Sequence, residues 1–364
     1  MKNIFTFFIH RGFSINALIV ITTIAFTSQA QNTWTQKANF GGTARYGAVG
    51  FSLGAKGYIG TGYDEGYKDD FWEYDPSVNV WTQKANFGGT AREYAVGFCI
   101  GSKGYVGTGD DENSYTNDFW EYDPSINTWT QKADFSGTAR SFAVGFSTGG
   151  KGYIGTGDDG DSYQNDFWEY DPVVNAWTEK TNFAGTGRVF ATGFSIGSKG
   201  YVGTGADGSS FNNDFWEYNP SANQWTQKTN FGGTGRYSAT GFSIYDKGYI
   251  GTGSGSITYN DFWEYNPAAN TWTQKASLAG AIRYAATGFS IENKGYIGTG
   301  LDGITAKSDL WEYTSSECNS ITVYADMDGD SYGDAANSYF AADCIVPSGY
   351  VLNGTDCNDN IASI

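Results

Sequence analysis

The residues whose types and spacing point most directly to chemistry are carboxylates near the C-terminus. Four of them occupy relative positions 1, 3, 5 and 9 of one short stretch: Asp326, Asp328, Asp330 and Asp334. An oxygen-rich loop with this spacing can wrap around Ca²⁺. Asp356 and Asp359 follow and could complete the coordination shell. The sequence therefore predicts a calcium site in the tail, and the alternative is an acidic linker that holds no metal.

A second group of acidic residues lies earlier in the chain, in polar stretches that also carry aromatic residues. Its eight members are Asp64, Glu65, Asp110, Asp111, Glu112, Asp158, Asp159 and Asp161. The aromatic residues near them are Tyr63, Tyr115, Tyr163 and Phe211. Such a mixture suits a sugar, a cation or a basic protein patch, because rings cover apolar sugar faces and carboxylates accept hydrogen bonds. These acids are predicted to contact a partner, and the alternative is that they only keep the loops solvated.

Composition excludes several other kinds of chemistry. The 364 residues carry a formal net charge of -17, and so acidic a surface would repel nucleic acid. The only histidine is His10. A mature chain without it has no Ser-His-Asp triad and no imidazole ligand for a metal. No catalytic constellation is visible, which predicts a protein that is not an enzyme; the alternative is a carbohydrate-active enzyme that uses two loop carboxylates.

The first 30 residues have the pattern of a signal peptide. Lys2 and Arg11 precede an apolar run at residues 15–26, and small residues at Ser28 and Ala30 fit a cleavage site before Gln31. A transmembrane anchor is the alternative, but the run has about 12 residues where roughly 20 are needed to span a bilayer. The pattern predicts a secreted or cell-surface protein with no transmembrane segment.

An internal repeat must position the loop acids. One arginine recurs every 47 or 48 residues, as Arg45, Arg92, Arg140, Arg188, Arg236 and Arg283. Lys-Gly-Tyr, Gly-Thr-Gly, a first Trp followed by Glu, and a second Trp keep step with it, which gives six units. Each unit contains four short runs with strand character separated by turn residues. Four strands per unit in six units predict an all-β fold, a six-bladed β-propeller.

The two ends of the repeat array predict how the ring closes. Trp34 lies in a fourth strand with no third strand before it, whereas residues 309–313 form a third strand with no fourth strand after it. Residues 32–37 are therefore expected to pair with the last blade and cover its open edge.

The repeated residues are expected to be structural. A group needed once for chemistry has no reason to recur six times, so the arginines and the Glu after each first Trp are interpreted as ties between blades, with bidentate pairing between them as one form of the tie. The tryptophans are expected to pack between blades. The stretches that differ between copies, including the acidic loops, are the candidates for function.

Residues 32–314 resemble the kelch repeat family, in which a strand with Arg, a Tyr strand ending in glycines, a Glu-x-Tyr-Asp-Pro element and a following Trp build one blade. The resemblance implies a propeller that is a binding scaffold in most members and an oxidase in a few. Kelch oxidases that resemble galactose oxidase need histidine ligands for copper, which the mature chain lacks. One departure is Gly-Thr-Gly where the family usually has a Gly-Gly doublet.

Residues 321–360 resemble the acidic metal-binding repeats of secreted bacterial proteins, which are related in style to thrombospondin type 3 repeats. The resemblance implies Ca²⁺, although similar motifs have also been associated with copper. Ser331 stands where an EF-hand has glycine, and position 12 carries no Glu, so a full EF-hand is not supported.

Cysteine usage fits an exported tail. Cys344 and Cys357 are predicted to form a disulfide that clamps a segment too small to build its own core. Cys318 could pair with the tail or stay free. Cys99 occupies a position that is Ser in the other copies, which predicts a small buried filler.

The sequence as a whole thus predicts three parts: a signal peptide at residues 1–30, a monomeric propeller at 31–316 and a calcium-binding tail at 317–364. The predicted function is that of an exported scaffold that binds a protein or a glycan through its loop face.

Overall fold

The computed structural model describes residues 32–315, 321–325, 334–341 and 350–351. Residues 32–315 form six antiparallel sheets of four strands each. This is the six-bladed, all-β propeller that the repeats predicted. In the described part of the chain, no helix has the length and apolar character to cross a membrane.

The strands are short and recur at equivalent positions. The chain starts with Thr33–Lys37 (β1). The first strands of the blades are Val49–Leu53 (β2), Val96–Ile100 (β6), Val144–Thr148 (β10), Thr192–Ile196 (β14), Thr240–Ile244 (β18) and Thr287–Ile291 (β22). The second strands are Lys56–Gly60 (β3), Lys103–Gly107 (β7), Lys151–Gly155 (β11), Lys199–Gly203 (β15), Lys247–Gly251 (β19) and Lys294–Gly298 (β23). The third strands are Phe71–Asp75 (β4), Phe119–Asp123 (β8), Phe167–Asp171 (β12), Phe215–Asn219 (β16), Phe262–Asn266 (β20) and Leu310–Thr314 (β24). The fourth strands of the first five blades are Val80–Gln83 (β5), Thr128–Gln131 (β9), Ala176–Glu179 (β13), Gln224–Gln227 (β17) and Thr271–Lys275 (β21).

The first strands line the central channel, where there is no room for large side chains. In β2 the buried Val49, Phe51 and Leu53 alternate with half-buried Gly50 and Ser52. A Cβ atom added to Gly50 would lie 2.0 Å from Thr287 Cγ2 of the neighbouring blade. The repeated glycine therefore lets adjacent first strands approach each other at the axis.

The N-terminal strand closes the ring as predicted. The last sheet has the strand order β1-β24-β23-β22, and β1 pairs antiparallel with β24 so that Trp34 lies opposite Tyr313. The Trp34 ring packs edge-on against Phe262 of the preceding blade at 4.9 Å between centroids. Asn32 accepts a hydrogen bond from the Tyr313 hydroxyl at 2.8 Å. The first and last strands of the propeller are thereby joined in one blade.

The second tryptophan of each repeat ties neighbouring blades together, as expected. The indole N–H of Trp81 donates to the carbonyl of Ala38, which lies just after β1 in the adjacent blade, at 3.2 Å. The same bond forms at the other five copies, with distances of 2.9–3.2 Å: Trp34, Trp129, Trp177, Trp225 and Trp272. Buried tyrosines, phenylalanines and branched residues fill the space between blades in six equivalent clusters.

The repeated arginine is structural, but its carboxylate partner is not the Glu considered from the sequence. Arg140 is fully buried and forms a bidentate pair with Asp166, the residue just before the third strand. Glu169 instead faces Tyr153 on the second strand and accepts a hydrogen bond from its hydroxyl at 2.7 Å. The strand register decides this, because Tyr153 and Glu169 are direct cross-strand partners.

The arginine also holds the Gly-Thr-Gly turn in its conformation. The six threonines of these turns have φ angles between 58° and 60°, a region that β-branched residues rarely adopt. Arg140 Nη1 donates to the carbonyl of Thr156 at 2.9 Å. The same guanidinium lies over the Phe135 ring, with the central carbon 5.0 Å from the ring centroid. Each arginine therefore links a turn, a third strand and the connection from the preceding blade.

The predicted tail is described only in part. Ile321–Ala325 (β25), Asp334–Ala341 (β26) and Tyr350–Val351 (β27) form a three-stranded antiparallel sheet in the order β26-β25-β27. Asp334 begins β26. Five predicted metal ligands lie outside the described residues: Asp326, Asp328, Asp330, Asp356 and Asp359. The predicted disulfide Cys344–Cys357 and the predicted signal peptide at residues 1–30 also lie outside them. These assignments stay predictions.

Candidate functional site

One face of the propeller, called the loop face here, carries the loops between second and third strands together with the connections that enter each new blade. The two kinds of segment are bridged by backbone hydrogen bonds. Glu93 and Asp110 exchange N–H to carbonyl bonds of 2.9 and 3.0 Å, and Ser141 and Asp158 do the same at 3.0 and 2.9 Å. The loops that differ between repeats therefore converge on one face, as the propeller predicted.

The eight acids predicted to bind a partner come together on this face in the loops of the first three blades, and form what we call the acidic sector. The Tyr115 hydroxyl, on the second of these loops, donates to Asp158 Oδ2 on the third at 3.4 Å. Burial raises the pKa of Tyr67, on the first loop, to about 12, with further contributions from Asp110 and other acids nearby. The acidic sector is thus continuous from one loop to the next.

A cleft of about 510 Å³ opens between the second and third of these loops. Asp110, Glu112, Tyr115 and Asp159 are among the side chains that line it. At the loop tips, Glu65, Glu112 and Asp161 are exposed, whereas Asp64 forms an ion pair with Lys68 at 3.8 Å. Charged groups that face solvent beside a cleft are available to a partner.

Four of the eight acids accept hydrogen bonds from backbone N–H groups of their own loops: Asp111 and Asp159 accept two each, and Asp110 and Asp158 accept one each. Asp159 Oδ1 accepts bonds from the backbone N–H groups of Ser162 at 2.9 Å and Asp161 at 3.0 Å. The N–H of Ser162 makes the larger contribution to holding the pKa of Asp159 below its usual value. Asp111 accepts equivalent bonds from Asn113 and Ser114. Asp207 and Asp302 cap the corresponding loops of other blades in the same way, which identifies this position as a loop cap.

A further feature was not predicted from the sequence. It is a ring of six residues around the channel mouth, which we call the axial ring. Each member lies two positions after a repeated arginine: Gly47, Tyr94, Phe142, Phe190, Ser238 and Ala285. All six have φ between 49° and 63°. Backbone N–H groups of five of them donate to the carbonyl of a neighbouring ring member at 2.8–3.1 Å. The only sequence signal was that this position and the one before it vary, between an arginine and an alanine that are the same in all six repeats.

The axial ring surrounds a cavity of about 180 Å³ that has one aromatic side and one side of small residues. Phe142 lies 4.2 Å from Phe190 and 4.8 Å from Tyr94 between ring centroids, and Tyr94 lies 5.2 Å from Phe190. Gly47, Ser238 and Ala285 form the opposite side. The aromatic side is built by the second, third and fourth blades, so it lies next to the acidic sector.

Glu93 lies beside Gly47, one of the residues that line this cavity, and has an unusual environment. A Cβ atom added to Gly47 would lie 3.3 Å from Glu93 Oε2 and 3.2 Å from the Tyr94 ring, so the carboxylate and the ring both lie close to Gly47. Glu93 Oε2 is buried and has no hydrogen-bond partner among the described residues. Burial raises the pKa of Glu93 to about 7, with a smaller contribution from Asp110.

No group of three or more His, Cys, Asp or Glu residues in the described ranges is arranged to hold a metal ion. Cys99 is a free thiol on β6 that packs among apolar residues between the first two blades, in agreement with its predicted role as a filler. Burial raises the pKa of its thiol, which keeps it protonated at neutral pH.

Comparison with known proteins identifies the fold of this chain but does not identify an activity. No family model matches the sequence, and no curated protein matches it. Among solved structures, the chain is similar to one titled "Structure of YjhT", with a TM-score of 0.68 and 16% sequence identity over 77% of this chain and 97% of YjhT. Identity this low shows the propeller fold alone. The kelch and thrombospondin type 3 assignments remain predictions from the motifs.

Proposed function

We propose that the protein is an exported binding scaffold whose loop face holds a basic segment of a protein partner. The observation that carries the proposal is the acidic sector, in which Glu65, Glu112 and Asp161 project exposed carboxylates from three neighbouring loops. Summed charge of one sign draws in an oppositely charged partner and fixes its orientation on the surface. The formal charge of -17 acts in the same direction.

The difference between the acids that are hydrogen-bonded to their own loops and those exposed at the loop tips supports binding over catalysis. Asp111 and Asp159 already accept hydrogen bonds from their own loops, which fixes the loop shapes. The exposed tip residues Glu65, Glu112 and Asp161 then present carboxylates on a rigid base, and rigid presentation lowers the entropy lost on binding. A carbohydrate-active enzyme, the alternative considered from the sequence, needs two carboxylates free to flank a glycosidic bond, whereas Asp110, Asp111, Asp158 and Asp159 are bonded to their own loops.

A glycan is a second candidate because aromatic rings accompany the cleft. Tyr163 is 41% exposed and Phe211 is 47% exposed on adjacent loops, and Tyr115 lines the cleft itself. Exposed ring faces of this kind can cover the apolar face of a sugar. A glycan would make hydrogen bonds to the carboxylates and would depend less on salt than a basic peptide does.

The loop-face proposal predicts charge-dependent binding of a lysine-rich synthetic peptide. In the triple variant Glu65→Gln, Glu112→Gln and Asp161→Asn, affinity should fall at least about tenfold, because three charges near the ligand are lost. Affinity would be measured by biolayer interferometry at two salt concentrations, with a glycan array probed in parallel.

The matched control removes three exposed charges from other parts of the propeller: Glu179→Gln, Asp246→Asn and Glu292→Gln. Its affinity for the peptide should change less than about twofold. Equal losses in both triple variants would mean that only total charge matters and would refute a loop-face site. Array binding that needs Tyr115 and Tyr163 but not the three charges would instead favour the glycan.

We further propose that the tail binds Ca²⁺ through Asp326, Asp328, Asp330 and Asp334, with Asp356 or Asp359 completing the coordination shell. The spacing of the carboxylates supports this assignment. Isothermal titration calorimetry of the chain starting at Gln31 should show calcium binding that Asp328→Ala abolishes and Asp246→Ala leaves unchanged. A wild-type protein that gives no heat with Ca²⁺ would contradict the proposal, and a parallel titration with Cu²⁺ tests the alternative metal.

A further inference from the structure

The axial ring keeps three bulky aromatic residues in a backbone conformation that suits glycine. Tyr94, Phe142 and Phe190 have φ angles of 49°, 60° and 56°, and the equivalent residue in the first blade is Gly47. Holding such residues in this region costs on the order of 1 kcal/mol each. Ser238 and Ala285 show that a small residue completes the same ring. The fold itself therefore does not require the aromatic rings.

These rings line a cavity on the channel axis rather than filling the core. Together they form the aromatic side of the 180 Å³ cavity at the mouth, and contacts of 4.2–5.2 Å between their centroids hold them as one group. The Tyr46 ring extends the group towards the first blade, 6.3 Å from Tyr94. The ring faces carry negative electrostatic potential, which attracts a cation placed over them.

Glu93 adds a carboxylate at the edge of this aromatic group. Its counterparts in the other repeats are Tyr46, Ser141, Val189, Tyr237 and Tyr284, so the acid occurs in a single blade. A buried carboxylate oxygen without a partner is costly, and a ligand with positive charge would offset that cost. The charge of Asp110, which contributes to the raised pKa of Glu93, increases the demand for a cation.

We infer that the channel mouth binds a small organic ammonium ion, with the alkylated nitrogen against Tyr94, Phe142 and Phe190 and its charge balanced by Glu93. Aromatic side chains next to a carboxylate are the arrangement that recognises quaternary ammonium groups. This site is separate from the acidic cleft proposed to hold a protein partner, and its ligand is a small molecule. The inference therefore does not depend on the proposed function.

The decisive comparison uses two ligands of the same shape. Choline carries a quaternary ammonium group, and 3,3-dimethylbutan-1-ol replaces the charged nitrogen with neutral carbon. Calorimetry on the chain starting at Gln31 should give choline at least about tenfold tighter binding, because the neutral ligand gains nothing from the carboxylate or the ring faces. Equal affinities would identify an apolar cavity only, and no binding of choline at millimolar concentration would overturn the inference.

Variants should locate the site. Glu93→Gln and Phe142→Ala should each weaken choline binding about tenfold, and the latter places alanine where Ala285 stands in another blade. Glu112→Gln, which removes one charge from the same face, is the control and should have little effect. If Glu112→Gln weakened binding as much as Glu93→Gln did, the effect would be one of general charge and the site would be refuted.

The pH dependence provides a readout that structural damage would not produce. Choline needs the ionised form of Glu93, whose pKa in the free protein is about 7. The other titratable groups around it are Asp110, Tyr46, Tyr67 and Tyr94, and the pKa values of the three tyrosines are raised, so these do not ionise in the neutral range. Affinity should therefore rise about tenfold from pH 6 to pH 8 in the wild type and stay flat in Glu93→Gln.

Discussion

Replacement of Asp166 by alanine is expected to destabilise the propeller by about 3–5 kcal/mol, because it leaves a buried guanidinium without its counter-ion. Arg140 is fully buried, and Asp166 accepts two of its hydrogen bonds, one of them at 2.8 Å from Nη2. Asp166 also accepts the indole N–H of Trp168 at 2.9 Å. One substitution thus removes the partner of three donors.

Urea unfolding monitored by tryptophan fluorescence measures this effect. Asp171→Ala is the matched control in the same blade: Asp171 pairs with Lys151 near the surface, where solvent screens the interaction, so its loss should change stability little. A double variant, Arg140→Met with Asp166→Leu, should lose less than the single variant because no unpaired charge remains. A stability of Asp166→Ala equal to that of Asp171→Ala would contradict the structural role assigned to the repeated arginine.

Deletion of residues 32–37 is expected to have the second largest effect, because it opens the ring. The deletion removes β1 and leaves the backbone of β24 unpaired along its outer edge. Loss of the Trp34 side chain alone costs roughly 3 kcal/mol, since it packs against Phe262 and Tyr313. An uncovered strand edge also invites pairing with another chain. We therefore expect a lower midpoint of thermal unfolding and the appearance of dimers or larger species.

Circular dichroism and light scattering after size-exclusion chromatography would test this prediction. The control is a chain that starts at Asn32, which keeps β1 and should unfold like the chain that starts at Gln31. A synthetic peptide of residues 31–38 should restore the stability of the deleted chain by filling the vacant position beside β24. If the deleted chain were as stable and as monomeric as the control, closure by the N-terminal strand would not contribute to the fold.

The fold could be predicted because the same physical requirement is repeated six times. Each first strand needs small residues at the axis, and each second Trp donates to a carbonyl that follows the fourth strand of the preceding blade, so the same pattern appears in every copy. Ring closure was predicted for the same reason: one strand at the N-terminal end of the array and three at the C-terminal end complete a single blade and satisfy both strand edges.

Prediction of pairwise contacts was less successful. The sequence offered the repeated Glu as a partner for the repeated Arg, and the structure pairs Arg140 with Asp166 instead. Both acids lie three residues apart in one segment, so spacing along the chain does not separate them. Strand register does, because it places Glu169 opposite Tyr153 and leaves Asp166 at the end of the strand that faces the guanidinium.

The sequence by itself determined the number of blades, the way the ring closes and the side of the propeller on which the variable acidic loops gather. Only the tertiary structure decided which variable residues meet. Tyr94, Phe142 and Phe190 come from three repeats about 48 residues apart, and they line one cavity because the connections into successive blades converge on the axis. That convergence is a property of the closed ring, and no single repeat contains it.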